Sequence, residues 1–270
     1  MRVRANTAIG GLLMSVLIGT AVTAAFWTPV DPLRVNLRAR LQPPSTLYWL
    51  GTDEFGRDVL SRIMAGAGTS VTVALLTVAF AVAFGAIVGV ITGYVRGWTD
   101  RAIMAVNDAL LAFPGILLAL AVMIVVGANK FGIVLALGLA YIPSVVRVVR
   151  GTVLSIREKE YIEASRVIGN SETYSMVRHV LPNSLAPVAV LATSMFGWVL
   201  LAESALSFLG LGVPPPAPTW GNMLAAARPY METAAWLSIA PGLCIALTLL
   251  GINLLGDSLR DRLDPRMAHG

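Results

Sequence analysis

The sequence predicts an all-α polytopic membrane protein with six transmembrane helices. Three observations support this: the 270 residues are 56% hydrophobic, only 13% are charged, and long runs carry no charge at all. Soluble domains carry about 25% charged residues, and a helix that crosses a bilayer needs about 20 apolar residues in succession. The composition therefore favours a chain that lies largely in lipid.

Six uncharged runs are the candidates for these helices. They cover residues 5–30, 63–95, 109–129, 131–146, 179–202 and 233–256. The fourth run is the shortest, and we expect it to use Lys130 and Arg147 as charged ends that reach the membrane surface. The first run also resembles a secretory signal, but it is longer than the usual signal core of about 7 to 15 residues, which favours a retained helix.

The distribution of positive charge predicts the orientation of these helices. With the N-terminus inside, thirteen of the 20 Lys and Arg residues fall in inner segments. Because inner loops of membrane proteins are enriched in Lys and Arg, both termini are expected in the cytoplasm. We expect Trp49, Trp220 and Trp236 in the aromatic belt at the membrane surface.

One charged segment separates the fourth and fifth runs. Residues 157–178 carry eight charges, and each charge costs about 2.5 to 3.5 kcal/mol at the bilayer centre, so the segment stays in water. We expect a helix from Arg157 to Ile168, a stop at Gly169, and a second short helix that begins near Ser171. The pattern leaves open whether this knob transmits force to a partner or only connects two spans.

The chain lacks the residues of common catalytic and metal sites. Neither lysine follows a glycine, so the G-x-x-x-x-G-K-[ST] phosphate loop is absent, and so is the G-x-S-x-G motif. One cysteine and two distant histidines cannot build a zinc site. The net charge of +5 has no aromatic-interleaved basic stripe and fits lipid headgroups better than nucleic acid. We predict no catalytic residue, no metal and no nucleic-acid partner; any nucleotide energy must come from another subunit.

A few residues stand out in or beside the apolar runs. Gly85, Gly89 and Gly93 recur at every fourth position, which either lets a neighbouring helix approach closely or has no special role. Asp108 precedes a predicted kink at Pro114.

Two carboxylates are candidates for the walls of a passage. Asp108 is either an interfacial group reached by water or by Arg101, or a polar group that faces the passage. Glu203 ends the fifth run and either bonds to loop backbone or faces the passage, since a buried carboxylate needs a partner.

The charged segment also carries a recognisable spacing. The residues concerned are Glu163, Ala164, Ser165, Gly169, Leu181 and Pro182. Their order resembles the E-A-A-x3-G-x9-I-x-L-P loop of ABC importer permeases. Ser165 stands in place of the third Ala and His179 in place of Ile.

Further stretches resemble the second permease of the dipeptide/oligopeptide branch, which also includes nickel importers. They are LGTDEFGRDVLSR at 50–62, LAFPGILLAL at 111–120, RHVLPNSLAPV at 178–188, ESALSFLGLGVPPPAPTWGNML at 203–224 and NLLGDSLRDRLDPR at 253–266. One position departs from this branch, because Gly68 stands where the family usually has Arg.

The resemblance implies a type I ABC importer transmembrane fold in a bacterial inner membrane. Residues 1–66 would form the first helix and an outer loop. Residues 67–256 would form the permease domain, with a cytoplasmic coupling segment at 150–179, and residues 257–270 would form a cytoplasmic tail. The residues that match the loop would couple this chain to an ATPase.

The resemblance also implies partners. These are a second permease in a heterodimer, two ATP-binding subunits that hold ATP and Mg, and an external substrate-binding protein or lipoprotein; no cofactor is expected in this chain. Dipeptides or oligopeptides are the expected cargo. Importers of nickel chelates, glutathione or another small solute belong to the same branch and remain open, and an ion-driven secondary transporter is the alternative from another class.

Overall fold

The computed structural model describes residues 2–263, with side chains from residue 5, and this range forms ten α-helices. The helices are α1 Arg2–Phe26, α2 Val59–Val95, α3 Gly97–Ala112, α4 Gly115–Val126, α5 Lys130–Arg157, α6 Glu160–Val167, α7 Glu172–Ser175, α8 Leu181–Phe208, α9 Trp220–Ala227 and α10 Trp236–Leu263. A π-helical turn, Met176–Val180, joins α7 to α8 without a break.

Five spans in the described part of the chain are long and apolar enough to cross a membrane. They comprise α1, α2, α5, α10 and the continuous stretch from Glu172 to Phe208. A sixth is the pair α3–α4, which is bent by 96°. Phe113 is extended at the bend because Pro114 disfavours a helical conformation in the residue before it. The predicted kink is therefore confirmed, and the pair counts as one broken span.

The centre of the bundle is the contact of α2 with α5, which run in parallel. A Cβ added at Gly85 would lie 2.5 Å from the Cβ of Val145, and one at Gly89 would lie 2.7 Å from the Cβ of Val149. Gly93 repeats the arrangement against Val153, at 2.8 Å. The predicted close-packing role of the three glycines is confirmed, since no larger residue allows this approach.

The remaining spans surround this pair. Helix α8 packs on α2 and α5, and α10 packs on α8 and α1. At the contact of α1 with α10, a Cβ at Gly10 would lie 2.9 Å from the carbonyl oxygen of Gly251. Helix α3 runs antiparallel to the inner half of α5, because Asp100 pairs with Arg150 and the Asn107 side chain donates to the carbonyl of Pro143.

Several sequence-based boundaries are wrong. The fourth span does not end near Arg147, because α5 continues for ten more residues to Arg157. The helix expected from Arg157 to Ile168 is broken at Glu158, which caps α5. Helix α2 already begins at Val59, so the outer loop is shorter than expected.

Trp220 and the C-terminal segment also differ from what the sequence predicts. Trp220 is 1% exposed and donates from Nε1 to the carbonyl of Ile63, so it is a core residue and not a member of the surface belt. Residues 257–263 of the expected tail continue α10, and residues 264–270 lie outside the described range.

Candidate functional site

The charged segment forms a compact elbow at the end of the bundle where α2 and α5 terminate. We use "the elbow" for residues 158–180, which comprise α6, α7 and the turns beside them. Gly169 ends α6 with φ +92°, a conformation that side chains with a Cβ rarely adopt. Ser171 caps α7 by accepting a bond from the Tyr174 N–H at 3.2 Å. The predicted stop and restart are therefore both present.

Ser165 joins the two short helices of the elbow. Its buried hydroxyl lies 3.1 Å from that of Ser175 in α7, and the Asn170 side-chain amide donates to it at 3.1 Å. An alanine at this position, as in the general loop pattern, makes neither bond. The departure from that pattern therefore fixes the angle between α6 and α7.

A second set of contacts holds the elbow to the inner end of α2. The Tyr94 hydroxyl donates to the carboxylate of Glu172, and Arg166 lies 3.2 Å from the same carboxylate. Arg157, at the end of α5, donates to the backbone carbonyl of Tyr94. Hydrogen bonds of this charge-assisted kind are about twice as strong as neutral ones. Sequence reasoning missed Tyr94, because it lies 78 residues before Glu172 and carries no motif.

His179 is packed between two tyrosines. Its ring centroid lies 6.2 Å from that of Tyr161 and 5.9 Å from that of Tyr174, both in edge-on arrangements. Such contacts contribute about 0.5 to 1.5 kcal/mol beyond simple burial. The histidine therefore takes the packing position that the general loop pattern gives to isoleucine.

The solvent-exposed surface of the elbow combines charged residues with an apolar tip, which consists of Val167 and Ile168. The residues of the loop pattern that are exposed are Glu163, Ala164, Gly169, Leu181 and Pro182. Val167 and Ile168, just before the Gly169 turn, are 83% and 80% exposed. Neither was singled out from the sequence, although two aliphatic residues before a glycine stop in a charged segment are a usable signal. An exposed aliphatic pair outside the apolar spans is a feature of protein contact surfaces.

The two carboxylates proposed for the passage lie in different surroundings. Asp108 is exposed and accepts from Arg147 at 2.6 Å, so Arg101 is the wrong partner. Glu203 is fully buried, accepts from the Ser207 hydroxyl at 2.7 Å, and has one carboxylate oxygen without a partner among the described residues. Glu203 bonds to a side chain and not to loop backbone, and it lines no open space in this conformation.

Comparison with known proteins identifies the family. Residues 82–269 match the family model described as the inner membrane component of binding-protein-dependent transport systems. The chain belongs to this family. It is a membrane-spanning permease subunit of an ABC transport system, which confirms the expected fold class and the resemblance.

Close relatives match over nearly the whole chain. The dipeptide transport system permease protein DppC of Alkalihalophilus pseudofirmus is 41% identical over 96% of this chain and 85% of its own length. The di/tripeptide transport system permease protein DppC of Pseudomonas aeruginosa is also 41% identical, over 96% of this chain and 88% of its own. The glutathione transport system permease protein GsiD of Shigella flexneri is 43% identical over 95% and 85%.

Proposed function

We propose that this permease is one of two membrane subunits of an ATP-driven importer for short peptides in a bacterial inner membrane. The relatives named for dipeptides and di/tripeptides support this cargo, because each matches at least 95% of the chain. Glutathione is the second candidate, favoured by the relative of 43% identity that is named for it. An ion-driven carrier, the alternative from another class, has no support from the family.

The charge distribution supports an orientation with the elbow inside. The elbow and both termini lie in the cytoplasm, on the side richer in Lys and Arg. The segments between α1 and α2 and between α8 and α10 then face outward and meet the substrate-binding protein. The second permease completes the passage as a heterodimer.

The elbow is the point at which one of two ATP-binding subunits, which hold ATP and Mg, acts on this chain. The apolar tip carries this assignment: Val167 and Ile168 are exposed in water at the end of a charged segment. They fit an apolar groove on an ATPase, while Glu163 and its exposed neighbours contact the rim of that groove. Gly169 keeps the turn behind the tip compact, and Leu181 and Pro182 lead from the elbow into α8.

The elbow is rigid enough to transmit motion. Ser165 fixes α6 to α7, and Tyr94 fixes α7 to α2, so a displacement of the tip moves α2, α5 and α8. ATP binding and release would then shift the bundle between inward-open and outward-open states.

A substitution at the tip tests this proposal. Ile168→Asp places a charge in the apolar contact, and the loss of such a central anchor costs about 2 kcal/mol, or roughly 30-fold in affinity for the ATPases. Ile168→Leu keeps the apolar contact and is the matched control. We expect Ile168→Asp to reach the membrane normally but to lose co-purifying ATPases, ATP hydrolysis and uptake. Normal uptake and assembly of this variant would refute the docking role.

The cargo is tested separately with the assembled importer in proteoliposomes. Uptake of a labelled dipeptide is measured with and without ATP, in competition with unlabelled dipeptide or glutathione. Dipeptide competition that exceeds glutathione competition supports the peptide proposal, and the reverse order supports glutathione. Uptake that persists without ATP but stops when the proton gradient collapses would overturn the ATP-driven mechanism.

A further inference from the structure

The face of α5 opposite α2 carries a charged pair. Val145, Val149 and Val153 face the glycines of α2 and are buried. Arg147 projects from the other side and pairs with Asp108 of α3, with N–O distance 2.6 Å. The side chains are 58% and 57% exposed. An ion pair this exposed, on a helix that crosses the membrane, must meet something other than its own chain.

The depth of Arg147 on α5 favours water or protein over lipid as its neighbour. Helix α5 has 28 residues, so it is about 42 Å long and exceeds a hydrocarbon core of about 30 Å by about 6 Å at each end. Arg147 lies ten residues, or about 15 Å, before the inner end, so a helix centred on the bilayer places it about 9 Å inside the core. Each charge facing lipid at such depth costs about 2.5 to 3.5 kcal/mol, so the pair faces water or protein.

A partly polar groove of about 570 Å³ runs from Arg147 toward the elbow, and Asp108 lies beside its Arg147 end through the ion pair. Arg147, Gly151, Ser155 and Lys159 recur at every fourth position along it, and Asn183 of α8 forms the opposite wall. Four-residue spacing places Arg147, Gly151 and Ser155 on one stripe of α5, and Lys159 of the elbow lies where this stripe ends. The volume suits a molecule of dipeptide size, because small-molecule sites hold about 300 to 1,000 Å³. A polar stripe that leads to the inner surface favours water over a protein contact.

The pair has unused binding capacity. Among the described residues, neither side chain has a hydrogen-bond partner other than the other member of the pair. Arg offers five N–H donors, and a carboxylate has about four acceptor sites. Exposed pairs of this kind contribute about 0 to 1 kcal/mol, so an arriving solute that brings both charges opens the pair at little cost.

We propose that Asp108 and Arg147 form a transient site for zwitterionic solutes in the inner half of the passage. The free amino group of a short peptide contacts Asp108 and its free carboxylate contacts Arg147, and the groove receives the solute on its way to the cytoplasm. The choice of a peptide as ligand rests on the proposed function. The prediction that the groove face of α5 is in contact with water does not.

The contact of the groove face of α5 with water is tested first, by labelling the assembled complex. In a Cys244→Ser background, Val148→Cys and Thr152→Cys report on the groove, while Val149→Cys on the α2 face is the buried control. An impermeant thiol reagent is added to inside-out vesicles. If both groove positions are labelled at least tenfold faster than the control, the groove face of α5 is in contact with water, as proposed. Slow labelling at both groove positions places this face against the second permease and overturns the proposal.

The charges are tested by transport of a free dipeptide. Arg147→Gln and Asp108→Asn are expected to lower uptake about fivefold while ATP hydrolysis stimulated by the loaded binding protein stays within twofold. The exchange of both charges, Asp108→Arg with Arg147→Asp, is expected to restore uptake to within about threefold, because a zwitterion can reverse its direction. Arg101→Gln, an exposed charge on the same helix α3, is the matched control and leaves uptake unchanged.

Two results separate this proposal from the proposed cargo. If the unmodified importer takes up no peptide, the cargo assignment fails, while the labelling pattern still decides whether the groove is aqueous. If the unmodified importer takes up the peptide but Arg147→Gln and Asp108→Asn behave like Arg101→Gln, the zwitterion site is wrong and the cargo stands.

Discussion

The contact of α2 with α5 depends on the absence of side chains, and Gly89→Ala tests this directly. The new Cβ would lie 2.7 Å from the Cβ of Val149 and 2.9 Å from the carbonyl oxygen of Val146. Carbon atoms pack favourably at about 3.5 to 4.0 Å, so the helices must separate by about 1 Å. Gly85 and Gly93 hold the same helices together above and below, which leaves little room for a local adjustment.

The cost can be isolated by comparison with a glycine that touches nothing. Overpacking costs about 1 to 3 kcal/mol, whereas Gly→Ala inside a helix gains about 0.5 to 1 kcal/mol. Gly19 in α1 has no atom within 4 Å of an added Cβ, so Gly19→Ala shows only the gain. We therefore expect Gly89→Ala to be about 2 kcal/mol less stable than Gly19→Ala, which corresponds to a melting temperature roughly 4 to 8 °C lower.

Thermal unfolding of the detergent-solubilised complex measures this difference, and a second substitution shows its cause. Val149→Gly removes the Cβ that the new methyl group meets. Combined with Gly89→Ala it should be more stable than the sum of the two single changes by at least 1 kcal/mol. Equal melting temperatures for Gly89→Ala and Gly19→Ala, with additive behaviour of the double variant, would refute close packing as the role of these glycines.

Three further substitutions test the elbow and the core. Ser165→Ala leaves the buried Ser175 hydroxyl unpaired, costs about 1 to 3 kcal/mol, and should speed amide hydrogen exchange in α6 and α7; unchanged exchange would contradict the link. Tyr94→Phe removes the hydroxyl that holds the elbow to α2 and should raise the ATP hydrolysed per peptide imported, while Tyr48→Phe in the outer loop should not; equal ratios would count against coupling through α2. Trp220→Phe loses a buried hydrogen bond of 3.1 Å and should lower the free energy of unfolding by about 1 to 2 kcal/mol. An unchanged melting temperature would contradict the core position of Trp220 and favour the membrane-surface position that the sequence predicts.

Much of the fold was predictable because spans in lipid obey a length rule. Uncharged runs located five spans and the second half of the bent span, whose first helix begins at Gly97, and Pro114 located the break between α3 and α4. Span ends were less accurate, since charged residues such as Arg147 lie inside a helix when a partner or water is available to them. Charge alone therefore marks the end of an uncharged run and not the end of a helix.

The elbow was only partly predictable. The stop at Gly169 and the cap at Ser171 are local effects of single residues, and both are present. The contact of Tyr94 with Glu172 joins residues that are far apart in the chain, and no local pattern encodes it. The partner of Asp108 was likewise missed, because Arg147 becomes its neighbour only when α3 folds back along α5.

The bundle divides into parts with different numbers of fixed contacts, and this division bears on how it moves. Helices α2 and α5 are interlocked over about two turns by the glycines and joined by the bond from Arg157 to the carbonyl of Tyr94, and the elbow is fastened to α2 through Tyr94. Helix α3 buries only Asp100 and Asn107, and α4 buries only Ala119 and Met123. Because helices with little burial open at the lowest free energy, we expect α3–α4 to move against the α2–α5 pair when the elbow is displaced. The ion pair of Asp108 with Arg147, together with the Asp100–Arg150 pair and the bond from Asn107 to the Pro143 carbonyl, bridges these two parts. The proposed site for the solute would therefore open and close with the same motion that drives transport.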